Sequence, residues 1–162
     1  MLVTQPNLFG VEQAERTSDD YYTPKWVFDA LGLEFDLDVC APPDGPPCVP
    51  ARRWFTMQDD GLSQPWDGRV WMNPPYSDAE PWVRRFLDHG NGVCLLPYVK
   101  SFWRLDVWRC ADAVGDFGGD RDRIKFLRDG KPTEIMFPTF FAAMGDECVE
   151  ALRNIGPVRV LG

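Results

Sequence analysis

At 162 residues, with 44% hydrophobic residues that include 7 Trp and 11 Phe, the chain suits one packed globular domain and is too apolar for a disordered one. No apolar run reaches the length needed to cross a bilayer, and Met1 to Gly10 has neither the basic nor the apolar region of an export signal. A net charge of −8 works against polyanion binding, although residues 99–131 carry 8 basic against 6 acidic side chains.

In chain order, residues 1–20 are polar and weakly patterned and read as a mobile arm, leaving 21–162 as a single domain. Thr23-Pro24 is an N-cap followed by a first-turn proline. A short helix then runs from Lys25 to Leu31 and closes at Gly32. Glu34 to Cys40 alternates with period two and predicts a strand. Ala41 to Pro50 is a proline-rich loop, Arg53 to Thr56 a short second strand, and Asp59 to Leu62 a turn. Arg69 to Met72 is a strand, and Ser77 to Glu80 caps a helix that extends to about Asp88. Val93 to Leu96 is a buried strand, Phe102 to Cys110 a helix, and Ala113 to Phe117 and Ile124 to Leu127 two further strands. Ile135 to Ala142 is a strand interrupted by Pro138, Glu147 to Asn154 a helix, and Pro157 to Leu161 a last strand. Strands alternating with helices predict a largely parallel or mixed sheet with helices on both faces.

The five cysteines are odd in number and contain no C-x-x-C pair, which argues against a disulfide framework or a zinc site and for a reducing cytoplasm. Cys40 and Cys48 flank the proline-rich loop without forming a functional pair in this reading. The single histidine, His89, reads as a solvated turn residue, so hydrolase triads find little support.

Asn73-Pro74-Pro75-Tyr76 is the segment richest in chemistry. It follows the apolar run Val70-Trp71-Met72, at the C-terminal end of a strand, where open α/β sheets build ligand crevices. An Asn carbonyl oxygen and a proline carbonyl can accept both hydrogens of one exocyclic amine. The prolines fix those acceptors through their restricted φ, and the Tyr ring offers a face to a planar base. No metal or histidine is needed for such chemistry.

Four segments occur in order: Thr23-Pro24, Asp36 to Ala41, Asp59 to Leu62, and Asn73 to Ser77. Together with Tyr21-Tyr22, Trp26, Leu95-Leu96-Pro97 and Asp122 to Leu127, they resemble the small phage-type DNA N6-adenine methyltransferases of the Dam family over roughly residues 21 to 145. The resemblance implies a class I methyltransferase, Rossmann-like α/β fold, S-adenosylmethionine as cofactor, DNA as partner with its target adenine flipped out, and a phage- or prophage-borne enzyme in a bacterial cytoplasm. It implies that Asn73, Pro74, Pro75 and Tyr76 are catalytic, with Tyr76 also stacking on the target base.

By the same resemblance, Tyr22, Thr23, Pro24, Asp38, Cys40, Ala41, Phe55 and Asp60 bind the cofactor. Asp38 would accept from the amino group of its methionine moiety, Thr23 would bond its carboxylate, and Asp60 would accept from its adenine amine. A solvent-facing strand-end Asp, a plain N-cap and an ordinary Asp-Gly turn are the alternatives. Phe55 would cover one face of that adenine, although core packing serves it equally. Cys40-Ala41-Pro42-Pro43 replaces the glycine-rich turn usual after the first strand of such enzymes. Lys100, Arg104, Arg121, Arg123 and Lys125 are the nominated nucleic-acid contacts, with a solvated face of mixed charge as the alternative. Phe140 or Phe141 would be a second wall for the base, although core packing is the stronger reading for at least one of them. Other readings of the same residues are an RNA base or a glutamine amide as acceptor, or a non-catalytic acidic nucleic-acid mimic or cofactor-binding protein.

Overall fold

Side chains alternate across a strand, and the central strands here are apolar on both sides because helices cover both faces of the sheet. The computed structural model describes residues 22–116, 124–133 and 138–162; the expected arm over residues 1–20 lies outside them, as do Arg121 and Arg123. The elements are α1 (Lys25–Leu31), β1 (Phe35–Asp38), β2 (Ala51–Trp54), β3 (Val70–Met72), α2 (Glu80–His89), β4 (Gly92–Pro97), α3 (Phe102–Cys110) and β5 (Ala113–Gly115). Then come β6 (Phe126–Arg128), β7 (Lys131–Thr133), β8 (Thr139–Met144), α4 (Asp146–Leu152) and β9 (Val158–Val160). Among the described residues no helix is long and apolar enough to cross a membrane.

Seven strands form one mixed sheet in the order β2-β1-β3-β4-β8-β5-β9. β2, β1, β3 and β4 run parallel. β8 is antiparallel to both β4 and β5, and β9 is antiparallel to β5. The expectation of a mixed sheet with helices on both faces is thus met. Leu37, Val70, Met72, Cys94 and Leu96 pack with Val83 and Phe86 of α2 and Trp103 and Val107 of α3. Phe35, Trp71, Val93 and Leu95 point the other way, onto Val27, Phe28 and Leu31 of α1 and Cys148 and Leu152 of α4.

Trp71 anchors α1. Its ring is 1% exposed and meets Phe28 edge-on at 4.7 Å and Phe35 at 5.7 Å. Each such aromatic pair adds about 0.5–1.5 kcal/mol beyond area burial. Gly32 ends α1 in the left-handed region, φ 65°, where a residue without Cβ carries no penalty.

Several expectations shift by a residue or two. Ser77 does not cap α2: a 3₁₀ turn over Tyr76–Asp78 absorbs that stretch, and the helix starts at Glu80. Of the strand expected over 135–142, residues 135–137 lie outside the described residues, and β8 continues beyond 142 to Met144. β7 was not foreseen. It pairs with β6 through the turn Asp129-Gly130, both at positive φ, the geometry of a type I′ hairpin. An Asp-Gly pair beside an apolar run is the sequence signal for that hairpin.

His89 is not a free turn residue. It ends α2, with Nε2 2.7 Å from the Gly68 carbonyl and its ring edge-on to Trp66.

Candidate active site

β1 and β3 are parallel neighbours with Asp38 opposite Trp71. Their C-terminal ends therefore open on one edge of the sheet, and Asn73, two residues past Trp71, emerges on the same side as Asp38. A cleft lies there, lined by Tyr22, Thr23, Asp38, Cys40, Trp71 and Asn73. Prolines 42, 46 and 47 of the loop that replaces a glycine-rich turn form its outer wall. That loop hangs on β2: the Phe55 N–H donates to the Asp38 carbonyl at 2.9 Å, and the Ala41 N–H donates to the Phe55 carbonyl at 2.8 Å.

Asp38 is the chemically unusual member. It is 3% exposed, and its Oδ1 accepts the Cys40 N–H at 3.1 Å. Burial pushes its carboxyl up to about 7, against the opposing pull of that backbone bond. The half-buried Cys40 thiol is pushed well above its ordinary value, first by burial and then by the Asp38 charge. It is therefore a poor nucleophile. All five cysteines are free thiols.

Thr23, 4% exposed, faces Asn73 across the cleft, and Asn73 Nδ2 donates to Thr23 Oγ1 at 3.4 Å. Tyr22 exchanges two backbone hydrogen bonds with Leu127 of β6, at 2.9 and 2.7 Å. The hairpin therefore holds the segment that carries Thr23. Leu127 was not nominated from sequence, since a pairing across more than a hundred residues leaves no local pattern.

The other nominated residues fall outside this cleft. Pro24 is buried at the start of α1, and Ala41 is buried in the loop. Phe55 is half-buried and packs on the α2–α3 face. Asp60 is exposed in a left-handed conformation, φ 50°. It precedes Gly61, where any Cβ would meet the Val39 carbonyl at 2.5 Å, and the Trp66 indole N–H donates to the Gly61 carbonyl at 2.8 Å. The Asp59-Asp60-Gly61-Leu62 turn is thus clamped against the end of β1.

Pro74 is buried, and the Pro75 carbonyl accepts the Asp78 N–H at 3.2 Å. That turn occupies the Pro75 oxygen. Tyr76 is half-buried, its hydroxyl is buried without a hydrogen-bond partner among the described residues, and burial followed by the nearby Cys94 raises its phenol.

Phe140 and Phe141 cannot wall a base: both are 0% exposed and point into opposite halves of the core. Tyr98 is the more accessible ring at that position, half-buried and 4.7 Å from Phe140. Among the nominated cations, Lys100 is exposed between β4 and α3, Arg104 is half-buried on the first turn of α3, and Lys125 is exposed just before β6.

The geometry is that of a strand-edge cleft with a buried carboxyl and an oriented amide, and comparison with known proteins decides between families. A family model described as DNA N-6-adenine-methyltransferase (Dam) matches residues 11–118. The chain belongs to the Dam family. It is also similar to a DNA N-6-adenine-methyltransferase of Haemophilus phage HP1, 38% identical over 87 residues. That similarity covers 48% of this chain and 49% of the phage protein, so it spans about half the length of each. The Dam match contains every residue of the cleft, from Tyr22 to Asn73, as well as Tyr76, Lys100 and Arg104. The hairpin β6–β7, with Lys125 and Leu127, lies beyond it.

Proposed function

We propose that this protein is an S-adenosylmethionine-dependent methyltransferase acting on the exocyclic N6 amine of adenine in DNA, within a bacterial cell. The observation that carries the reading is the placement of Asn73 at the end of β3, its amide nitrogen turned to Thr23, in one cleft with the buried Asp38. The sheet supports a class I, Rossmann-like methyltransferase assignment. Its parallel strands open their C-terminal ends on one edge, and the reversed strand β8 is inserted between β4 and β5, with a second reversed strand, β9, at the far edge.

The cofactor supplies an electrophilic methyl group on a sulfonium. Asp38 fits the cationic amino group of its methionine moiety, since a buried carboxyl held up near 7 is one that an ammonium partner would ionise. Cys40 and the proline-rich loop border that position, and Thr23 faces it from just before α1.

At the acceptor, the N6 lone pair of adenine is delocalised into its ring. Asn73 Oδ1 and the Pro74 carbonyl accept the two N–H groups and draw that pair back onto nitrogen. Held beside Asp38, the cofactor would supply the methyl group that this nitrogen takes, and the surplus N6 proton would pass to solvent. Tyr76 supplies a ring against which the extruded base stacks, a contact worth on the order of 1–3 kcal/mol.

Transfer of tritium from labelled S-adenosylmethionine into duplex DNA, RNA and protein tests the reading. We expect label in DNA alone, recovered as N6-methyladenine after digestion, and at least a hundredfold loss in Asn73→Ala with cofactor affinity retained. Label found in RNA or in glutamine, or undiminished transfer by Asn73→Ala, would overturn it.

A further inference from the structure

We infer that Thr23 is the positioning residue that sets which way the Asn73 amide faces, an inference that rests on the reaction proposed above. An Asn side chain is nearly symmetric in shape but not in function. Only its oxygen can accept from an amine, while its nitrogen is a donor twice over. A flip about the last torsion exchanges the two at little steric cost, and it would present the amine with donors instead of an acceptor.

Three observations place the control of that flip in Thr23. Asn73 Nδ2 donates to Thr23 Oγ1 at 3.4 Å, which turns Oδ1 away from Thr23. Thr23 is 4% exposed, so water does not readily substitute for its hydroxyl. Its backbone is fixed from both sides. Tyr22 is bonded twice to Leu127 of the hairpin, and the Val27 N–H donates to the Pro24 carbonyl at 3.2 Å as α1 begins.

A threonine hydroxyl has one proton and can accept through its oxygen. Once that proton is given to an acceptor in the cleft, where Asp38 also lies, the oxygen can only receive from Asn73. The amide then has one satisfied orientation. The role differs from a direct contact with the cofactor carboxylate. It predicts a cost in the chemical step rather than in cofactor binding.

Thr23→Val keeps the shape and removes the hydroxyl, and Thr23→Ser keeps the hydroxyl. We expect Thr23→Val to lower kcat about fivefold to tenfold, the worth of one neutral hydrogen bond. The KM for DNA and the Kd for cofactor should stay within about twofold, and Thr23→Ser should restore most of the rate. Independently of activity, the side-chain NH₂ pair of Asn73 in ¹⁵N-labelled protein, assigned by its loss in Asn73→Asp, should shift in Thr23→Val and return in Thr23→Ser.

An unchanged kcat in Thr23→Val, a loss confined to cofactor affinity, or an NH₂ pair indifferent to the hydroxyl would each overturn the inference. If the wild-type protein methylates no DNA, the reaction proposed above falls, while the NMR comparison still decides the hydrogen bond. Thr23→Ala makes the same comparison should Thr23→Val not fold.

Discussion

Asp38 holds a titratable group at 3% exposure with the Cys40 N–H donating to it, and its carboxyl lies near 7, far above an unperturbed Asp. The consequence for stability has a definite sign. Between about pH 4 and 7 the folded chain keeps a proton that the unfolded chain has released, so stability is greatest below that window and falls as pH rises through it. Asp38→Asn has no such proton to lose. Its thermal midpoint should exceed that of the wild type at pH 8 and approach it at pH 5, with a difference of at most a few kcal/mol at about 1.4 kcal/mol per pH unit. Cofactor affinity should move the opposite way, tightening from pH 6 to 8 as the carboxylate becomes available to an ammonium. A midpoint curve parallel to that of Asp38→Asn would remove the buried proton from the account. Tyr76 carries a second residue-scale consequence. Its buried hydroxyl has no hydrogen-bond partner among the described residues, and such a group costs about 1–3 kcal/mol. Tyr76→Phe should therefore unfold at equal or higher temperature and keep its methylation rate, because stacking uses the ring. Tyr76→Ala should lose DNA affinity. A Tyr76→Phe variant that folds well but no longer methylates would assign the hydroxyl a chemical role.

At the scale of elements, the hairpin β6–β7 is tied to the cleft by the Tyr22–Leu127 bonds, and its turn depends on Asp129 and Gly130 at φ 52° and 71°. A β-branched residue is strained in the left-handed region by about 1–2 kcal/mol. Gly130→Val should speed amide hydrogen exchange at Tyr22 and Leu127 while leaving Trp71 protected in the core. Exchange at Tyr22 that ignores the substitution would mean that the hairpin does not hold the Thr23 segment. This coupling also marks where sequence reading stops. β1, β3, β4 and α3 were legible because their apolar residues alternate or recur against two helical layers, and that pattern survives in one dimension. Asp38 and Asn73 were legible as strand ends. Their meeting follows from β1 and β3 being adjacent, a fact of strand order that no local spacing carries. The Thr23–Asn73 bond, across 50 residues, and the Tyr22–Leu127 bridge belong to the same class. Core packing, expected for at least one of Phe140 and Phe141, holds for both, because helices cover both faces of β8. β7 was hidden by Pro132, which reads as a strand breaker and yet is tolerated in a two-stranded hairpin with a free edge.

For the whole molecule the governing quantity is charge. On the reaction proposed above, a chain of −8 would meet long-range repulsion from DNA and would have to concentrate its attraction near the cleft. Lys100 and Arg104 sit just past the C-terminal end of β4, and Lys125 leads into the hairpin that holds Tyr22. With five nominated cations, and each neutralised phosphate contributing about 0.9 to the slope of log K against log salt, the slope for DNA binding should not exceed about 4.5 in magnitude. A small number of contacts cannot supply a steep dependence, so the proposed reaction would draw much of its affinity from an extruded base and its stacking. Lys100→Ala and Lys125→Ala should each reduce the slope by about 1 and weaken binding evenly across sequences. Asn73→Ala should leave the slope unchanged, since it touches no phosphate. Binding measured between 50 and 300 mM salt separates these outcomes. A slope near that of strongly basic DNA-binding proteins would require cations beyond those five. A slope insensitive to both lysines would move the phosphate track to another face of the sheet.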